Sequence, residues 1–382
     1  MRRLLPGFAV SYVGDGMSVV AVSWLAIQLA PPDSRGAWVA AALAATMLPS
    51  LLGTLLLGRF MSGRGGAHLA GWDAALRATV LGSIPVCYMF GVLDIWLYVC
   101  LLALSSWLRS WGSAGRFTLI AELLPQEHHL AGNALVGILS ELAGLLGPAV
   151  AAVVISVGGA PLAISIDAAT FAILALTYLF AVPRTRRAVV EEQEHTGGFA
   201  IIFRSRRLLG LVLLSFGFFF LYGPVQVALP IHADSAGTLA AFWTAFGIGA
   251  VTGGFGTGYL RHWPTWLTII GTVIGWGIAL LPVGLGAPTV VALIAFGIGG
   301  LVWAPFPSTS MTLLQRSTDE LTRPHVLAAN STLGILAIPL GTLVGGPLVG
   351  VIGAQETMTV SAILTISLGV AAICFRRAGE SP

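Results

Sequence analysis

Long apolar runs, broken by short polar ones, cover almost the whole chain. Twelve of them reach membrane-crossing length, at about residues 6–29, 36–58, 69–92, 96–120, 130–157, 161–182, 208–231, 236–260, 265–286, 289–314, 326–352 and 355–375. An α-helix needs roughly 20 residues to cross the hydrocarbon core of a bilayer, so the pattern predicts twelve spans. Gly and Pro recur inside the runs, as membrane helices tolerate.

The polar positions set the topology. With the N-terminus in the cytoplasm, the inner segments hold Arg2, Arg3, Arg59, Arg64, Arg184, Arg186, Arg187, Arg204, Arg206, Arg207, Arg261, Arg316, Arg323, Arg376 and Arg377, and the outer loops hold Arg35 alone. Basic residues stay on the cytoplasmic side, so both termini are expected inside and the span count even. No cleavable signal peptide is expected, because the first apolar stretch is too long for a signal core and lacks a convincing cleavage site.

The longest polar stretch, Pro183 to Arg207, carries two Arg clusters around Glu191, Glu192 and Glu194. It divides the chain into residues 1–183, a cytoplasmic linker at 184–207, and residues 208–382. The linker arginines suit contact with anionic lipid. The flanking halves look like repeats. His128–Leu139 and His325–Leu336 align without a gap, sharing His, Leu, Ala, Asn, Gly, Ile and Leu, and each is followed by a Gly-Pro, at Gly147-Pro148 and Gly346-Pro347. The expected fold is therefore all-α membrane: twelve transmembrane helices in two pseudo-symmetric six-helix bundles. Paired halves of this kind suggest a transporter with alternating access.

Composition narrows the function. Only 9% of the 382 residues are charged and 56% are apolar, against about 25% charged in soluble domains, so a water-soluble globule is excluded. Cys87, Cys100 and Cys374 lie in apolar runs, which excludes a disulfide framework and a Cys-based zinc site. All 19 basic residues are Arg. Without Lys there is no Walker-type phosphate loop, hence no standard ATPase engine. The net charge of +3 is spread between spans, so nucleic-acid binding is not expected. Glu127, His128 and His129 lack further ligands at metal-site spacing and read as a solvated turn.

At this point the chain resembles the major facilitator superfamily, and within it the twelve-span bacterial drug/proton antiporters similar to macrolide and enterobactin-type siderophore exporters. The resemblance rests on Val13-Gly14-Asp15 and Trp24-Leu25 in span 1, and on Asp73 with Leu76-Arg77 in span 3. It rests further on Ala121-Glu122-Leu123-Leu124-Pro125 with Ala131-Gly132-Asn133 between spans 4 and 5, on Gly144-Leu145-Leu146-Gly147-Pro148 in span 5, and on Ile166-Asp167-Ala168-Ala169-Thr170-Phe171 in span 6. The loop between spans 2 and 3 departs from the family pattern. It reads Gly58-Arg59-Phe60-Met61-Ser62-Gly63-Arg64, with Ser62 where the family has Asp. In the family this loop locks and releases the inner gate.

The resemblance implies a secondary active transporter of the bacterial cytoplasmic membrane that exports a hydrophobic or amphiphilic small molecule in exchange for protons. Substrate, protons and lipids are its expected partners, and no cofactor or obligatory oligomer is expected. Two other readings stay open: a uniporter or importer of a small solute, and a non-transporting sensor with the same fold.

Ionisable residues inside the bilayer cost about 2.5–3.5 kcal/mol each at a helix centre on insertion scales. Asp15, Arg109, Glu141 and Asp167 are the deepest by residue counting. Asp15 lies about 13 Å and Arg109 about 16 Å from the inner face at 1.5 Å per residue. By resemblance, spans 1 and 4 face a central cavity, so Asp15, Arg109 and Glu141 are the candidates for proton coupling or substrate binding. A permanent ion-pair network is the alternative. Asp167 reads as a capping or packing residue. Asp73 and Arg77 are four apart on one helix face and suit a pair near the inner gate, with Arg116 as a further gate residue. Gly58, Ser62 and Arg64 form the gate loop. Gly144, Gly147 and Pro148 serve close packing and bending. Asn133 and Asn330 read as helix caps. Trp107, Trp111, Phe219, Tyr222, Gln226 and Trp303 are candidates to line a cavity for bulky amphiphiles or cations. Pro305 and Pro307 predict a break or bend in span 10.

Overall fold

The structure is a computed structural model, and it describes residues 4–61, 64–181, 197–257, 263–319 and 322–379. It is all-helical, with membrane-length helices. The elements are α1 (Leu5–Leu29), α2 (Arg35–Ala45), α3 (Pro49–Met61), α4 (Gly66–Met89), α5 (Ile95–Ser105), α6 (Arg109–Leu123), α7 (His129–Ala181), α8 (Gly198–Arg204), α9 (Arg206–His232), α10 (Ala236–Thr257), α11 (Thr265–Gly284), α12 (Thr289–Trp303), α13 (Phe306–Arg316), α14 (Arg323–Ile352) and α15 (Ala354–Gly379). Among the described residues, nine helical stretches are long and apolar enough to cross a membrane. The stretches outside that set are α4, which carries Asp73 and Arg77, and α5–α6, which carries Arg109 and Arg116.

Three apolar segments are broken rather than continuous, and proline explains two of the breaks. Between α2 and α3, Pro49 has no N–H, so the Ala45 carbonyl loses its helical donor. Ser106 Oγ supplies one at 2.7 Å, and Arg109 Nη1 supplies another to the Thr46 carbonyl at 3.3 Å. Ser106 sits in the break between α5 and α6, and Arg109 opens α6. The two breaks therefore satisfy each other, as buried backbone groups in a membrane protein must be. The third break lies at Ala304–Pro305, where Pro305 and Pro307 remove the donors for the Leu301 and Trp303 carbonyls.

The chain forms two compact units, Met1–Glu191 with Ala233–Thr244, and Glu192–His232 with Ala245–Pro382. In the first unit α1 packs along both arms of α7, and α4 packs on α7 and α6. The seam of α1 against the first arm of α7 is backbone on backbone. A Cβ on Gly147 would lie 2.5 Å from Gly16 Cα. In the second unit α9 packs on α14 and α15, and α11 on α15. Its seam has the same character, since a Cβ on Gly345 would lie 2.5 Å from Pro224 Cα. The part of the predicted linker that is described is not loose chain. It holds α8, with Gly198 against the His325 backbone of α14.

Turn chemistry repeats between the units. Four glycines with left-handed φ reverse the chain at matching places: Gly91 (+69°) after α4 and Gly286 (+72°) after α11, then Gly159 (+74°) inside α7 and Gly353 (+93°) between α14 and α15. Only glycine adopts this conformation without strain. α7 thus comprises two helical arms joined at Gly159, the positions read from sequence as spans 5 and 6. Asn133 and Asn330 lie inside α7 and α14 rather than at their ends, so the capping expectation is replaced by an in-helix position for both.

Candidate functional site

The first unit concentrates charge at one place. Arg77 on α4 is only 4% exposed. Its Nε donates to Asp73 Oδ1 at 3.0 Å, one turn back on the same helix, and its Nη1 donates to Asp15 Oδ1 on α1 at 3.3 Å. The guanidinium also lies over the Phe171 ring at 4.9 Å, a favourable cation–π contact. Asp73 is 1% exposed, and its carboxyl fills the space a side chain on Gly112 of α6 would take. Asp15 is the open member, with its side chain 29% exposed.

A third carboxylate joins from α7. Asp167 is 1% exposed, and the Ser18 hydroxyl of α1 donates to its Oδ2. Gly14 makes room for it: a Cβ there would lie 2.5 Å from Asp167 Oδ1. That oxygen is buried without a hydrogen-bond partner. Asp167 lies within electrostatic reach of Asp15, Arg77 and Arg109, and Arg109 within reach of Asp15, Asp73 and Arg77. The five groups are held by α1, α4, α6 and α7. Arg116, farther along α6, also lies within electrostatic reach of Arg109, so three carboxylates face three guanidinium groups.

Of the predicted trio, Asp15 and Arg109 lie within electrostatic reach of each other without a direct ion pair among those described. Asp15 pairs with Arg77, not with Arg109. Arg109 instead caps the broken segment through the Thr46 carbonyl. Glu141 is exposed on α7, and among the described ion pairs none joins it to Asp15 or Arg109. Trp111 Nε1 donates to the Gly53 carbonyl at 3.1 Å, and Trp107 packs beside Met61, Leu69 and Leu108. Toward the inner end, the Arg116 guanidinium lies 5.9 Å from the Tyr12 ring centre. Glu122 accepts from the first N–H of α4, at Gly66, at 3.2 Å, where a carboxylate also suits the helix dipole. Just before α4, Arg64 Nε donates to the Phe60 carbonyl at 2.7 Å and its guanidinium lies over Trp72. Gly58 lies in α3 with open space at its Cβ position. Ser62 lies outside the described residues. Gly147 forms the seam with Gly16 and Pro148 is buried beside it, whereas Gly144 meets nothing.

The second unit contributes aromatic surface. Tyr222 stands edge-on to Trp276 at 5.8 Å and hydrogen-bonds Gln226. Trp276 contacts Phe246 and Phe296, and Phe246 contacts Trp303. Phe219 and Phe218 both meet Phe306 at the start of α13. Sequence reasoning picked out Phe219, Tyr222, Gln226 and Trp303 but not Trp276 or Phe246, which join them. It also missed Ser18 and Gly14 as partners of Asp167. The available signal was their spacing, since Gly14 and Ser18 are four apart and share a face of α1.

Comparison with known proteins follows the same lines. The Major Facilitator Superfamily profile matches residues 4–335. The multidrug efflux pump Tap of Mycobacterium tuberculosis (strain ATCC 25618 / H37Rv) is 25% identical over 385 residues, covering 94% of this chain and 89% of the pump. Its namesake from Mycolicibacterium fortuitum is 24% identical over 388 residues, covering 96% and 93%. Among solved structures, a bacterial homologue of the iron transporter ferroportin in an inward-facing state superposes with a TM-score of 0.76 at 14% identity, covering 100% of this chain and 98% of that one. A D-xylose–proton symporter gives 0.74 at 14% identity, covering 98% and 96%. At these identities the structural likeness concerns the fold.

Proposed function

This chain belongs to the major facilitator superfamily, and from that premise we propose that it is a proton-coupled exporter of hydrophobic or amphiphilic small molecules, working by alternating access. It is a multi-pass protein of the bacterial cytoplasmic membrane. Counting the two arms of α7 separately and adding α4 and α5–α6 to the apolar helices gives twelve spans, with both termini cytoplasmic by the arginine distribution. The residues before and after the 184–207 linker then form two six-span bundles.

The observation that carries the reading is the charged cluster of the first unit. Placing Asp15, Asp73, Asp167, Arg77 and Arg109 in spans is costly, and Asp15 remains partly open beside Arg77. An open carboxylate next to a buried guanidinium can exchange a proton for its ion pair. The named activity of the relatives supports export of drugs, and the half-buried Phe219, Tyr222 and Trp303 of the second unit, packed on a buried aromatic core, offer faces for flat or cationic molecules. Energetics are permissive. Each charge moved is worth about 2.3 kcal/mol per 100 mV, while a tenfold substrate gradient costs about 1.4 kcal/mol.

The test is ethidium transport in inverted membrane vesicles holding the protein. Uptake that collapses on adding a protonophore establishes proton coupling. Asp15→Asn is expected to reduce that uptake at least tenfold at equal expression. Uptake insensitive to the protonophore gives a uniporter instead.

A further inference from the structure

We propose that Asp167, with Ser18 as its positioning residue, is a second proton-binding site of the cluster, beside the open Asp15. The inference rests on the transporter reading above but names a residue that reading leaves aside. Asp15 and Asp73 both have their charge met by Arg77. Asp167 does not. One of its oxygens accepts from a neutral hydroxyl, and the other is buried with no hydrogen-bond partner. An ionised carboxylate with an unmet oxygen is costly to bury, and a proton on that oxygen removes the charge.

Every element packed on this arm of α7 contributes to the balance. α1 presents Tyr12, Asp15 and Ser18, α4 presents Asp73 and Arg77, and α6 presents Arg109 and, farther along, Arg116. Uptake of one proton at Asp167 Oδ1 neutralises that carboxylate. No other bond is made or broken. The same proton changes the contact between α1 and α7. Ser18 donates to a carboxylate oxygen before uptake and to a neutral carboxylic acid afterwards. A charge-assisted hydrogen bond is roughly twice as strong as a neutral one. Protonation therefore weakens the Ser18–Asp167 contact between α1 and the second arm of α7. Release of the proton tightens the contact again. Gly14 keeps the slot open for the carboxyl.

The test is an infrared pH titration of the purified, reconstituted full-length protein, reading the C=O stretch of protonated carboxylic acids. Asp167→Asn is expected to remove a titrating band that Asp15→Asn retains. Ser18→Ala, which changes one hydroxyl and has the smaller effect on folding, is expected to shift that band in frequency. Asp167→Glu is expected to restore a titrating acid at a displaced frequency. A band unchanged in both Asp167→Asn and Ser18→Ala overturns the proposal. Ethidium uptake on the same vesicles separates this from the broader reading. Proton-driven uptake that persists at wild-type level in Asp167→Asn overturns the site while leaving the exporter standing. An Asp167 band in a protein that moves no ethidium by proton gradient supports the site and tells against the drug exporter.

Discussion

At the residue scale, the cluster depends on two absent side chains as much as on the charges present. Gly14 and Gly112 leave the volumes that Asp167 and Asp73 occupy. Gly14→Ala is expected to push Asp167 off Ser18 and abolish proton-driven ethidium uptake, while the same change at Gly71, where a Cβ would lie 3.5 Å from Tyr178 Cβ, changes it less than twofold. Arg77→Gln leaves buried Asp73 without its counter-charge, a loss of about 3–5 kcal/mol when one partner of a buried pair is removed. A marked fall in thermal stability in detergent checks this, and adding Asp73→Asn is expected to recover part of it. The charged residues themselves were legible as costly residues in apolar runs. The Asp73–Arg77 pair was legible from its spacing of four, but the partners on other helices were not. Arg77 rather than Arg109 meets Asp15 because α6 starts afresh at Arg109 after a break. Counting along a continuous helix misplaces every side chain beyond that point.

At the element scale, the broken segments and the glycine seams carry the architecture. The apolar runs located α1 and α11 almost to the residue, because length and hydropathy alone decide a membrane helix. The break at Pro305 was readable from its two prolines. The break before Pro49 carried the same signal, but the α5–α6 break contains no proline, and only the facing Ser106–Ala45 and Arg109–Thr46 bonds reveal its purpose. Arg109→Leu is expected to leave the Thr46 carbonyl unmet and lower thermal stability, with a cost of about 1–3 kcal/mol for a buried unsatisfied group. Ser106→Ala removes the matching bond, and the two losses are expected to be less than additive, measured as a double-mutant cycle. Gly147→Leu forces α1 and α7 apart where backbones touch, so folded protein recovered after detergent extraction is expected to drop sharply.

At the scale of the whole molecule, left-handed glycine turns recur after α4 and α11 and at the α7 kink and the α14–α15 junction, a pattern that side-chain identity shows less plainly than backbone conformation does. Sequence matches fade in apolar helices, where Leu, Ile, Val and Ala replace one another freely, whereas a left-handed φ holds glycine in place. In the proposed topology, Gly91, Gly159, Gly286 and Gly353 all lie on the outer face. Reversals this tight leave almost no chain beyond the bilayer, and Arg35 is the sole outward arginine. Trypsin applied to intact spheroplasts is expected to cut at most after Arg35, whereas inverted vesicles expose the Arg184, Arg186 and Arg187 side. Cleavage at those three from outside overturns the orientation. The cell that carries this protein thus shows its surroundings hardly any of it. An antibody raised against whole cells would find little more than the Pro31–Arg35 corner to hold.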